Sequence, residues 1–158
     1  YTETLTENIA TILNACKGKD MQLFEIYANA DAGGCAINKV LDEHRHMFIA
    51  LEKHLHRQDF LGLLASCDVM LGNSSSGLIE LPSFHKPFIC VGNRQDNRMK
   101  PGNVLTVPYE GARISEALDM ALHDTSFAET LKKTTNPYGD GSAYRHIVQA
   151  LMDTAQWK

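Results

Sequence analysis

The sequence holds no apolar run that approaches the ~20 residues a membrane helix needs. It shows no cationic start followed by an apolar stretch, so no secretory signal is predicted. There is no basic excess: 15 Lys and Arg stand against 19 Asp and Glu, for a net charge of −4. Nucleic acid is therefore not an expected partner, nor is a membrane surface. There is no C-x-x-C pair, and Cys16, Cys35, Cys67 and Cys90 stand apart, three of them in apolar surroundings. Reduced, buried thiols are predicted rather than a disulfide framework or a zinc site. No acidic or Cys residue stands at ligand-like spacing from His54 and His56, so no metal is expected. No linker, repeat or low-complexity segment breaks the chain, and no Met opens it. The expectation is one cytoplasmic domain over residues 1–158, cut from something longer, with 44% hydrophobic residues to build a single core.

Short apolar runs alternate with helix-period segments. Helices are predicted over 3–16, 31–43, 58–66, 75–84, 115–122 and 143–152, and strands over 21–28, 47–51, 68–72, 88–91 and 103–107. Pro82 should shorten or bend the fourth helix. Residues 136–142, NPYGDGS, read as a loop. The strands lack polar alternation, as in a parallel sheet covered on both faces. The fold class is α/β: a three-layer, doubly wound, Rossmann-like parallel sheet. Ligands in such sheets lie beyond the carboxyl ends of the strands. That places 29–34, 72–77 and 92–98 on one rim.

The segment LGNSSSGLIELPSF carries Ser74, Ser75, Ser76 and Gly77 between a strand and a helix. Unpaired N–H groups, small side chains and hydroxyls there suit an anion. An ordinary Ser cap is the alternative. The pattern is not a P-loop, because no G-K-[ST] follows. Glu80, one turn on, could accept hydrogen bonds from a ribose diol, or could be a first-turn acid favoured by the helix dipole. Arg94 follows a buried strand, where a guanidinium fork suits phosphate and a solvated loop is the alternative. Asp31 could cap the next helix or face a ligand, and Gly33 and Gly34 permit close backbone approach.

Taken in order, NADAGG, DVMLGNSSSGLIELPSF, KPFICVGNRQDNR and NPYGDGSA resemble the C-terminal half of UDP-N-acetylglucosamine 2-epimerases. They are most similar to the hydrolysing kind of the sialic-acid pathway. The non-hydrolysing kind carries an acidic-Ser-Gly-Gly version of the serine loop. The resemblance implies one half of a GT-B architecture, with a UDP-sugar held between two Rossmann-like domains. It implies Ser74, Ser75, Ser76 and Gly77 at the diphosphate and Glu80 on the ribose. It also implies Arg94 near the nucleotide, Phe60 beside the uracil, and Asn29 and Asp31 facing the sugar-phosphate. The family eliminates UDP across C1–C2 of the sugar, then hydrates the glycal with inversion at C2, without a cofactor. Its proton-transfer residues lie mainly in the other domain, so no catalytic residue is expected here. The missing N-terminal domain, and a first central strand ahead of Tyr1, are expected partners. The family's habit of associating also allows a homo-oligomer.

Three other readings compete. The chain could be the donor-nucleotide half of a GT-B glycosyltransferase, or a non-catalytic nucleotide-sugar-binding domain. A serine hydrolase would need Ser75 with His146 and Asp119 or Asp140, but Asn73 stands where the G-x-S-x-G elbow needs Gly.

Overall fold

The computed structural model describes residues 2–154. In chain order the elements are α1 (Thr2–Cys16), β1 (Leu23–Ile26), α2 (Gly34–Glu43), β2 (Phe48–Glu52), α3 (Arg57–Ser66), β3 (Met70–Gly72) and α4 (Ser76–Ile79). Then come β4 (Phe88–Val91), β5 (Val104–Val107), α5 (Gly111–His123), α6 (Thr125–Lys133) and α7 (Ala143–Thr154).

Strand β4 shows why the molecule is layered. Its four residues, FICV, are all buried. Phe88 and Cys90 join Leu64, Leu78 and Leu81, which come from α3 and the α4 segment. Ile89 and Val91 point the other way, to Cys16, Val107, Ile114, Ala117 and Leu118 from α1, β5 and α5. A strand with period-two side chains and apolar residues on both faces needs helices on both faces. Burying each such Phe, Ile or Val contributes about 1.5–3 kcal/mol.

All strand pairs are parallel, in the order β1-β2 and β3-β4-β5. The α/β class is as expected, but the described strands do not form one continuous sheet. No ladder joins β1 to β3. The two sheets are tied instead by packing. Helix α1 lies on both α2 and α5, and Leu23 of β1 and Leu71 of β3 pack on the same core cluster.

Three helical expectations are corrected. The helix expected over 75–84 is one α turn, Ser76–Ile79, followed by a 3-10 turn over Leu81–Phe84. Pro82 has no N–H to continue the ladder, which is why the α turn stops there. Helix α5 begins at Gly111 rather than 115, and α6 is an addition to the expected elements. Asp124 caps α6, accepting from the Phe127 N–H at 2.8 Å. Among the described residues, no helix is long and apolar enough to cross a membrane.

Candidate functional site

The carboxyl ends of β1, β3 and β4 place the three expected loops on one rim, and side chains join them. Gln95 reaches from the β4 loop to Asn73 in the β3 loop. Arg94 pairs with Asp31 in the β1 loop at 3.6 Å.

Strand β3 ends at Gly72, whose φ of 147° suits a residue without Cβ. The chain then turns through Asn73, Ser74 and Ser75 into α4. The Ser76 N–H donates to Ser74 Oγ at 3.3 Å, and the Gly77 N–H to the Ser74 carbonyl at 3.3 Å. The N–H groups of Ser74 and Ser75 have no hydrogen-bond partner among the described residues. Ser75 is the cap residue, yet its side chain makes no capping bond. Two free N–H groups flanked by serine hydroxyls form a small donor cradle. A four-residue α turn carries little aligned dipole, so the cradle's capacity for an anion rests on these local donors. Gly77 is buried against the face of Phe88, where a Cβ would overlap the ring. That glycine lets α4 sit down on β4.

Glu80 does not lie in a first turn. It stands at the carboxyl end of the α4 turn, the end where the dipole disfavours an acid. The dipole therefore does not account for it. Its half-buried carboxylate, 24% exposed, has Arg57 at 3.9 Å from the first residue of α3. Phe60, three residues along α3, packs on the cluster of Leu64, Leu78 and Leu81. Residues three apart share a helix face, so Arg57 and Phe60 both look toward the Glu80 segment.

In the β1 loop, Asp31 does not cap α2. The cap position is Gly33 at φ 90°, and the Asp31 carbonyl accepts from the Gly34 N–H. A Cβ on Gly34 would overlap the Asn29 carbonyl. Asn38 of α2 grips the neighbouring backbone twice, accepting from the Ala28 N–H at 2.8 Å and donating to the Ala28 carbonyl at 3.1 Å. These contacts leave the side chains of Asn29 and Asp31 exposed on the rim.

Residues behind the rim were not legible as site residues. Gln95 and Asn103 are almost fully buried. Asn103 Nδ2 donates to the carbonyls of Lys86 and Gly77, at 2.9 and 3.4 Å, tying the serine segment to β4. Asn136 of the NPYGDGS loop donates to the Ile79 carbonyl at 2.8 Å, which satisfies the end of α4. Asp140 in that loop accepts from the Ser142 N–H. Those Ser142 bonds hold its carboxyl below the ordinary range. The loop that carries part of the family resemblance also clamps the α4 end and the entry to α7. Only the recurrence of Asn at such junctions could have hinted at it.

The hydrolase triad is not assembled. Ser75 has no hydrogen bond to a histidine, and Asp119 is engaged by Lys19. Burial pushes the thiols of Cys16, Cys67 and Cys90 above their ordinary range, which makes them poor nucleophiles. All four cysteines are unpaired, with Cys35 exposed. Two surface clefts, one between α1 and α5 and one beside the NPYGDGS loop, are not lined by the serine loop.

The model of the family described as UDP-N-acetylglucosamine 2-epimerase matches residues 2–152. A Legionella pneumophila protein named UDP-N,N'-diacetylbacillosamine 2-epimerase (hydrolyzing) is 37% identical over 142 residues, covering 89% of this chain and 36% of that protein. Polysialic acid biosynthesis protein P7 of Escherichia coli is 29% identical over 132 residues, covering 81% of this chain and 33% of the relative. The chain therefore spans about a third of the length of these curated relatives. Among solved structures, the UDP-GlcNAc 2-epimerase of Neisseria meningitidis bound to UDP-GlcNAc superposes with a TM-score of 0.77 at 21% identity, over 96% of this chain and 41% of that one. The matched span takes in the serine loop, Glu80, the Arg94 loop and NPYGDGS alike, and on it this chain belongs to the UDP-N-acetylglucosamine 2-epimerase family.

Proposed function

We propose that this chain is the UDP-binding half of a hydrolysing UDP-N-acetylglucosamine 2-epimerase. The observation that carries the reading is the pair of free Ser74 and Ser75 N–H groups where α4 begins, with Glu80 at the other end of that turn and the loop of Arg94 joined to Asn73 through Gln95. The diphosphate sits on the serine cradle, the ribose hydroxyls on Glu80, the uracil against Phe60, and Asn29 and Asp31 face the sugar-phosphate. Ser76 and Gly77 close the cradle.

In the reaction, the C1–O bond to UDP breaks as a base takes the proton from C2. Water then adds to the double bond, its OH going to C1 and a proton to the opposite face of C2. This half stabilises the leaving diphosphate, because N–H groups and a guanidinium aimed at developing charge lower the barrier. The base and acid belong to a partner domain outside residues 1–158.

Two features support that partner. Strands β1 and β3 each keep one edge without a strand partner among the described residues, which fits a further parallel strand seated between them. Helix α7 exposes Tyr144, Ile147, Val148 and Leu151 at helical spacing, an apolar stripe that fits a second domain. The "hydrolyzing" in the Legionella relative's name favours that subtype. Four unpaired cysteines fit a cytoplasmic setting.

Calorimetric titration with UDP tests the reading, with CMP and Glu80→Ala as controls. Saturable UDP binding, weaker in the variant, is expected. A chain that is folded by circular dichroism, yet fails to bind UDP even when extended at its N-terminus, would overturn it.

A further inference from the structure

Gln95 is 3% exposed, and its Nε2 donates to the Asn73 carbonyl at 2.7 Å. Its Oε1 is buried without a partner among the described residues. A buried amide with one orphaned atom is costly and is kept only where its other atom matters. Asn73 is held a second time, its side-chain Nδ2 donating to Tyr109 Oη at 3.2 Å. Gly92, at φ 80°, makes room for that tyrosine, because a Cβ there would overlap the Tyr109 ring.

The geometry of the peptide group gives the clamp its consequence. The Asn73 carbonyl and the Ser74 N–H belong to one planar trans peptide and point in opposite directions. A buried donor that pulls the carbonyl inward therefore turns the Ser74 N–H outward. That N–H is one of the two free donors of the cradle.

We propose that Gln95 is a positioning residue for diphosphate binding: by gripping the Asn73 carbonyl, it fixes the 73–74 peptide plane and aims the Ser74 N–H at the anion. The inference rests on the UDP-binding reading and deepens it. Without the grip, this peptide can rotate and pair its N–H elsewhere, so the loss falls on the phosphates and spares the nucleoside.

The test compares UDP with uridine on the wild-type chain, Gln95→Leu and Gln95→Glu. Gln95→Leu should weaken UDP about tenfold, the scale of one lost anion-directed hydrogen bond, and leave uridine unchanged. The Ser74 amide resonance should move in the unliganded variant. Gln95→Glu should be worse than Leu at pH 8, where its carboxylate cannot donate. It should recover toward wild type as the pH falls and burial lets it hold a proton. Wild-type binding with Gln95→Leu equal to it on UDP would overturn the clamp while leaving the UDP reading intact. Equal losses on UDP and uridine would assign Gln95 a merely structural role. Absence of UDP binding in the wild type would instead strike the underlying reading.

Discussion

Asp31 and Arg94 meet at 3.6 Å although they leave different strands in different sheets. Both side chains are exposed, at 65% and 58%, so the pair contributes about 0–1 kcal/mol to stability. On the proposed UDP-binding reading the pair bears on binding as well, because a carboxylate would compete with phosphate for one guanidinium. Asp31→Asn should leave the melting temperature nearly unchanged and tighten UDP by about threefold at low salt. The gain should shrink as salt screens both contacts. Titrations at two ionic strengths read this out, and an unchanged affinity would place Arg94 away from the diphosphate.

Glu80 and Arg57 make a looser pair, 3.9 Å apart with Arg57 74% exposed. Such a pair holds Glu80 weakly and yields to a diol that offers two donors. Wild-type chain should prefer UDP over 2′-deoxy-UDP, and Glu80→Gln should lose most of that preference. Binding of the deoxy compound should change little. A preference that survives in Glu80→Gln would mean the ribose is read by other groups.

The succession of strands along the chain was legible because each is a short apolar run bounded by turn residues, and FICV even announces burial on both faces. The rim loops followed from that order alone. No local pattern records the break between β1 and β3, because ladder pairing is a tertiary event; an absent central strand was expected only through the family resemblance. Helix α6 escapes a sequence reading for a local reason. TSFAETLKK offers only Phe127 and Leu131 as large apolar residues, and its polar cap at Asp124 reads like any loop Asp. The serine run was singled out because three hydroxyls and a glycine in a row exceed what one helix cap needs, and Glu80 because it follows them by about a turn. Gln95, Asn103 and Asn136 could not, since their roles depend on carbonyls distant in sequence.

Gly77 tests whether the cradle depends on close packing beneath it. A Cβ there would overlap the Phe88 ring, which is itself fully buried and has nowhere to move. Overpacking of this sort costs about 1–3 kcal/mol. Gly77→Ala should lower the stability measured in urea by that amount and displace the serine loop, weakening UDP as well. Gly62→Ala is the control, since nothing lies within 4 Å of a Cβ at that helical position. It should be neutral or slightly stabilising. Equal stability of the two variants would show that α4 can lift off β4 freely.

Glu25 gives the chain a pH dependence of known sign. It sits in β1 opposite Leu51, and burial pushes its carboxyl up to about 7, with a hydrogen bond from the Ile26 N–H opposing the rise. Its ordinary value is 4.5, so between pH 4.5 and about 7 the folded chain binds more protons than the unfolded one. Stability therefore falls as the pH rises through that window and levels off above it. The loss is on the order of 3 kcal/mol at most, because one extra bound proton changes stability by ~1.4 kcal/mol for each step of one in pH. Glu25→Gln carries no charge to desolvate and should lack this slope. The difference in urea midpoint between variant and wild type should grow from pH 4.5 to about 7 in favour of the variant. Other titrating groups contribute to both proteins and cancel in that difference. A difference that stays flat with pH would show that Glu25 is solvated in the folded chain, and that the edge of β1 stands open to water at that residue.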